Sequence, residues 1–400
     1  MASVTTPVQT QGEAGGLSRR FRANLQTYGL IGALIVITIF FSWQTNGAFI
    51  SARNFSNLFR QMTVTGFLSV GMVLVIVTGN IDLSVGKLAG FVSVIVAVLQ
   101  TQIWPHILPG QEGLTALLTV VISLLVGTLV GVVQGYIIAQ LRVPAFIVTL
   151  GGLWVFTGAI LIVTQGKTIS AEGGWFLQIS QGYLPTWVGW LLAVAVIVFL
   201  YFNMFLSRQR KLKYGFDLPS IYLDLAKTTG FALVVAGYVY IVNQYNGVQV
   251  PVLLLAFVAV VIAYVSNNTR FGRYAYAIGG NREAARLSGV NIRNNIFTIF
   301  ILMGFLCGIS GIALASYVGY GTTAAGQGYE LDAIAACILG GTSTLGGEGT
   351  ILGAMVGALI MASLTNGLQI MNIPSEWQYL LKGFVLVVAV YADVRLRRNR

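Results

Sequence analysis

Long apolar runs fill most of this 400-residue chain, and short polar segments separate them. A helix needs about 20 apolar residues to cross the roughly 30 Å hydrocarbon core of a bilayer. Candidate segments fall near 25–43, 58–78, 83–103, 114–139, 144–163, 188–206, 226–243, 250–266, 296–318, 331–345, 350–371 and 377–393. The pattern predicts an all-α integral membrane protein, a polytopic helical bundle of about 12 transmembrane segments. The 331–345 run is too short to cross as one straight helix and predicts a broken or partly re-entrant element. One interval breaks the pattern most sharply. Residues 279–291 form a polar, helix-capable island between a run ending near Ser266 and another beginning near Ile296.

Composition agrees with the pattern. The chain is 56% hydrophobic and 9% charged, with a mean hydropathy of +0.81. Soluble domains carry about 25% charged residues. Gly127, Gly131 and Gly135 repeat at i+4, as do Gly353 and Gly357. Such faces predict close helix–helix contact, because small residues let backbones approach. Cys307 and Cys337 both lie in apolar runs and read as reduced core residues, without disulfide or metal spacing.

The net charge of +11 is not a nucleic-acid signature. The basic residues gather at the ends of apolar runs, with no basic groove interleaved with aromatics. Residues 1–18 hold no Lys or Arg, so no cleaved secretory signal is expected, and Arg19, Arg20 and Arg22 precede an uncleaved first span. The positive-inside rule places the N-terminus in the cytosol. That orientation also puts Arg142, the 208–213 cluster, Arg270, Arg273, the island arginines and the C-terminal arginines inside. A cytoplasmic tail over 1–24, a transmembrane domain over 25–394 and a basic cytoplasmic tail over 395–400 follow from this. The even number of crossings favours passage of the 331–345 segment through the membrane.

Catalytic chemistry is missing. His106, in a predicted external loop, is the single histidine, and no Gly-x-Ser-x-Gly or His-Glu-x-x-His motif occurs. Gly166-Lys167-Thr168 imitates the end of a phosphate loop, but Leu161 stands where its leading glycine belongs. No catalytic, metal or cofactor site is expected. Few charges lie within or beside the spans: Asp82, Lys87, Glu330, Asp332, Glu348, Glu376 and Lys382. Proton-driven carriers need titratable relays inside the membrane. An externally powered or passive pathway for a neutral solute fits better. Gln134, Asn366 and Gln369 are amides able to bind a sugar, although satisfying a neighbouring helix is the plainer role for each. Asn80-Ile81-Asp82-Leu83 and Glu330-Leu331-Asp332-Ala333 echo one another. Helix capping is the simple reading of both, and a weak repeat with half-helices near a pathway is the sharper one.

Within the island, Asn281 is placed to cap a short helix and Glu283 lies near its positive end. Gly289 is placed to end it in a left-handed turn. Ala284 and Ala285 offer a smooth face, and Arg282 and Arg286 lie four apart on one side. A loop whose arginines only fix topology is the bland alternative; the cap-to-cap design favours docking of a cytosolic partner.

Glu283-Ala284-Ala285-x3-Gly289 resembles the coupling motif of bacterial ABC importer permeases. Asn80 to Gly86, Val143 to Leu150 and Gly328 to Ser343 resemble the monosaccharide permeases of that class, which include ribose, galactose and xylose systems. Ser51-Ala52-Arg53-Asn54, Glu376-Trp377-Gln378-Tyr379 and an extra pair of apolar segments over 188–243 resemble the xylose subgroup; Asn80 and residues 205–230 depart from it. The resemblance covers about residues 50–395. It implies a homodimer in the bacterial plasma membrane, two cytosolic ATP-binding subunits and an extracytoplasmic sugar-binding protein. It also implies coupling to the ATPase through Asn281, Glu283, Ala284, Ala285, Arg286 and Gly289. Asp82, Ser84, Phe146, Tyr329, Asp332, Asn366 and Gln369 are the pathway candidates. A stand-alone carrier for a polar solute is the alternative from another class, and a related permease for a different sugar is a third.

Overall fold

The computed structural model describes residues 25–171, 173–216, 218 and 220–398. The N-terminal tail with Arg19, Arg20 and Arg22, and the final Arg400, lie outside the described residues. The chain is a helical bundle. Its elements are α1 (Leu25–Gln44), α2 (Ala52–Val77), α3 (Val85–Ile107), α4 (Glu112–Ala139), α5 (Ala145–Thr164), α6 (Gly174–Gln181), α7 (Thr186–Lys213) and α8 (Ile221–Asn243). They continue with α9 (Val250–Asn268), α10 (Arg270–Gly280), α11 (Arg282–Leu287), α12 (Ile292–Val318), α13 (Tyr329–Leu339), α14 (Ile351–Ile370) and α15 (Ser375–Arg398). A two-residue ribbon pairs Ile169 with Gly321 and Ser170 with Tyr320, antiparallel. Among the described residues, nine helices are long and apolar enough to cross a membrane. α1 and α15, with 20 and 24 residues, are of matching length.

The centre of the bundle is α2, buried over 89% of its most apolar stretch. Around it stand α9, α12, α13 and α14. The predicted glycine faces are close helix–helix contacts. Gly127, Gly131 and Gly135 of α4 press against Phe297, Phe300, Gly304 and Gly308 of α12, and a Cβ on Gly131 would stand 2.5 Å from the Phe300 carbonyl oxygen. Gly353 and Gly357 of α14 meet Gly340 and Ala336 in the same way. Cys307 and Cys337 are buried and unbridged.

The extra pair α7–α8 is peripheral. Only 11% and 17% of these two helices' apolar windows are buried. They hold each other through Ala193, Val239 and Val242, a Tyr201–Thr229 hydrogen bond of 2.8 Å and an Arg208–Asp224 ion pair.

Two helices are broken. α13 has 11 residues, about 16 Å at 1.5 Å per residue, and so covers only half the membrane thickness. The 331–345 run is broken, as its length implied: glycines end the helix at Leu339, and Gly341, Gly346 and Gly347 take positive φ in the irregular stretch that follows. α3 has its counterpart break before Val85, where residues 78–84 are not helical. The two starts meet inside the bundle, since Gly86 lies against the Gly326 carbonyl and the Glu330 amide. From that crossing α3 runs towards the ribbon, with Val94 and Ala97 against Gly321. α13 runs the other way, towards the island. The two echoing stretches thus stand at the starts of two helices of opposite direction, of which only α13 is a half-helix. His106, expected in a loop, lies exposed in the last turn of α3.

Candidate functional site

The island forms as its residues require. Asn281, at φ −155°, ends α10 and caps α11, its Oδ1 accepting from the Ala284 amide at 2.9 Å. Arg286 donates to Glu283 in a bidentate pair at 2.6 and 3.1 Å. Both partners are about two-thirds exposed, and such a pair contributes at most about 1 kcal/mol. Ser288 closes the helix, and Gly289 at φ 81° turns the chain away. Asn291 caps α12 through the Asn294 amide at 3.1 Å. The expected smooth alanine face is half right. Ala284 is exposed, but Ala285 is 5% exposed and anchors the helix to the bundle. Leu287, which the sequence reading passed over, stands 76% exposed one turn from Ala284 and supplies the apolar knob of the free face.

Beside the island lies a cleft of about 1030 Å³. Arg282, Arg286 and Arg293 line one side; Asn80, Arg142 and Phe146 line the other. Phe146 therefore belongs to the island side. The base of the island is seated on the bundle core. Gly279 is pressed against the Val77 carbonyl and the Gly347 amide so closely that no side chain fits there. The Gly347 amide donates to that same Val77 carbonyl at 2.8 Å. Gly347 belongs to the irregular stretch that follows α13. Contact thus runs from α10 and the island to the end of a half-helix.

At the other side of α13 is a second, smaller cavity of about 310 Å³, at the lower end of the usual range for small-molecule sites. Tyr329 and Asp332 line it from α13, and Gln369 from α14, three of the pathway candidates. Lys382 completes it from α15, donating to Asp332 Oδ2 at 2.8 Å. The side chains of Asp332 and Lys382 are 7% and 17% exposed. Removing one member of so buried a pair costs about 3–5 kcal/mol. Asp332 Oδ1 has no hydrogen-bond partner, as is true of Gln61 Oε1 on the facing wall. A buried acceptor left unmatched costs about 1–3 kcal/mol.

The remaining candidates do structural work. Asp82 Oδ1 accepts from the Ser84 amide at 2.8 Å and the Ser84 hydroxyl at 2.7 Å, fixing the turn before α3. Gln134 donates to Ser84 at 3.0 Å. Asn366 accepts from Asn54 at 2.8 Å, and Gln369 from Gln61 at 3.1 Å. The capping expectation is corrected for Asp332, which sits within the first turn of α13 and pairs with Lys382. Sequence reading missed Gln61, Thr65, Thr365 and Gln378 in the cavity wall. The available signal was three polar pairs at i,i+4: Gln61 with Thr65, Thr365 with Gln369, and Gln378 with Lys382.

Comparison with known proteins agrees with this architecture. Residues 54–390 match the family described as branched-chain amino acid transport system / permease component. The chain is 41% identical to the xylose transport system permease protein of Escherichia coli (strain K12), over 96% of both chains. It is 42% identical to the xylose transport system permease protein of Haemophilus influenzae, over 94% of this chain and 98% of that one. The ribose import permease protein of E. coli (strain K12) is 31% identical over 92% and 94% of the two chains. No solved structure matches. By the length of the match and the identity of its relatives, this multi-pass membrane protein belongs to the family of branched-chain amino acid transport system permease components.

Proposed function

We propose that the chain is the membrane subunit of an ATP-driven ABC importer for a monosaccharide, xylose ahead of ribose or galactose. It builds the pathway and performs no chemistry. Partner ATP-binding subunits supply the power, an extracytoplasmic binding protein delivers the sugar, and a second copy completes the pore. The observation that carries the reading is the Gly279–Val77–Gly347 contact. It joins the capped island, the natural dock for an ATPase on the cytoplasmic side, to the end of α13. Movement of the island then reaches the half-helix that carries Tyr329 and Asp332. Both termini lie in the cytosol in this arrangement, because the basic residues gather on the island side. Identity to two xylose permeases at 41–42%, against 31% to a ribose permease, supports the choice of sugar.

Co-expression with candidate ATPase and binding protein, followed by uptake of labelled xylose, ribose and galactose, tests the proposal. ATP-dependent xylose uptake that exceeds the other two is expected. Uptake that proceeds without the ATPase would return the chain to the class of stand-alone carriers.

A further inference from the structure

The cavity between α13, α14, α15 and α2 carries a more specific assignment, which rests on the sugar-permease reading. We propose that Asp332 and Lys382 form a transit subsite that holds a vicinal diol of the passing sugar.

Three observations converge on this pair. Asp332 is 5% exposed, lines the cavity, and uses only one carboxylate oxygen on Lys382, leaving Oδ1 without a partner. A purely structural ion pair in a bundle core normally has its remaining lone pairs satisfied, since the pairing otherwise fails to offset desolvation. Second, the charge inside the cavity is balanced. Its lining holds one carboxylate and one ammonium, with glutamine, threonine, serine and tyrosine groups making up the rest of its polar wall. That composition suits an uncharged, polyhydroxylated ligand and gives no net attraction to an ion. Third, Gln61 Oε1 is another buried unmatched acceptor on a residue of the wall, so two of the helices that bound the space hold hydrogen-bond capacity that a small side-chain shift would turn towards it.

The chemistry follows from the donor and acceptor inventory. A sugar hydroxyl both donates and accepts, an ammonium only donates, and a carboxylate only accepts. Asp332 Oδ1 takes the proton of one hydroxyl while Lys382 donates to the oxygen of its neighbour. The 2.8 Å between Lys382 Nζ and Asp332 Oδ2 keeps the two groups close enough to serve adjacent ring positions. Tyr329 and Tyr379 add aromatic faces for the C–H edge of the ring. Lys382 stays paired throughout, so the site grips without trapping a charge.

The test uses the whole complex in vesicles, with one binding protein throughout, and measures uptake of xylose beside 2-, 3- and 4-deoxyxylose. Asp332→Asn and Lys382→Met are expected to cut xylose uptake roughly tenfold or more, the loss of one charged hydrogen bond. ATP hydrolysis and ATPase co-purification persist. The wild-type preference for xylose over at least one deoxy sugar collapses in both variants. Equal losses for all four sugars, with the preference unchanged, overturn the subsite and make the pair structural. So does wild-type uptake by the double variant Asp332→Leu/Lys382→Leu. Should the charge variants fail to assemble, Gln61→Leu and Thr365→Val on the same wall must narrow the preference, and an unchanged preference overturns the proposal. A wild-type complex that moves a branched-chain amino acid and no sugar removes the underlying reading and this one with it.

Discussion

The island and the polar cavity both contain an ion pair, yet the two pairs have little in common. Glu283 and Arg286 sit three residues apart on one helix, about two-thirds exposed, where water screens them. Asp332 and Lys382 are 50 residues apart, on separate helices, and nearly shut off from water. The first pair dresses a surface whose shape comes from local caps at Asn281 and Gly289. The second ties α13 to α15 and leaves an unmatched oxygen beside a cavity. Charge in this molecule therefore does two jobs. On the island it decorates an exposed surface, and in the core it ties two helices together.

Stability measurements separate the two most strongly. Lys382→Leu strands a buried carboxylate and should lower unfolding free energy by about 3–5 kcal/mol, read as a fall in melting temperature in detergent. Arg286→Leu should change it by less than about 1 kcal/mol. Equal effects would erase the distinction. Next is Asn366→Leu, which takes one of two acceptors from the Asn54 side-chain amide, leaving the Phe49 carbonyl, and should cost about 0.5–1.5 kcal/mol by the same assay. Asn281→Ala removes only a local cap and should cost about 0.5–2 kcal/mol. Hydrogen exchange should show that loss in residues 282–287, with α2 amides unaffected. Loss of protection across α2 would mean that the island is part of the core.

These differences also explain what could be read from the chain in advance. The island was legible because caps, charge and turn glycine all act within a few residues, and the structure places Asn281, Glu283 and Gly289 as that reasoning required. The spans and the Gly127–Gly131–Gly135 face were legible for a similar reason, since period and hydropathy are local signals. The cavity was not. Tyr329, Asp332 and Gln369 could be named, but nothing near them in sequence points to Lys382 or Gln61 as their neighbours. Only the fold of the broken helices brings these together. The inward anchoring of Ala285 and the exposure of Leu287 were hidden likewise, because helical phase depends on how α10 seats against Val77.

The island is proposed as the entry point for power and the cavity as the place where sugar passes. The most direct test measures ATP hydrolysed and xylose accumulated together, in vesicles holding the full complex. Gly289→Leu, which forces a β-carbon into a φ of 81°, reshapes the island turn and should abolish binding-protein-stimulated hydrolysis and uptake alike. Lys382→Met in the cavity should retain hydrolysis and lose uptake. Wild-type values of both quantities in the island variant, or unchanged uptake in the cavity variant, would contradict that division of labour.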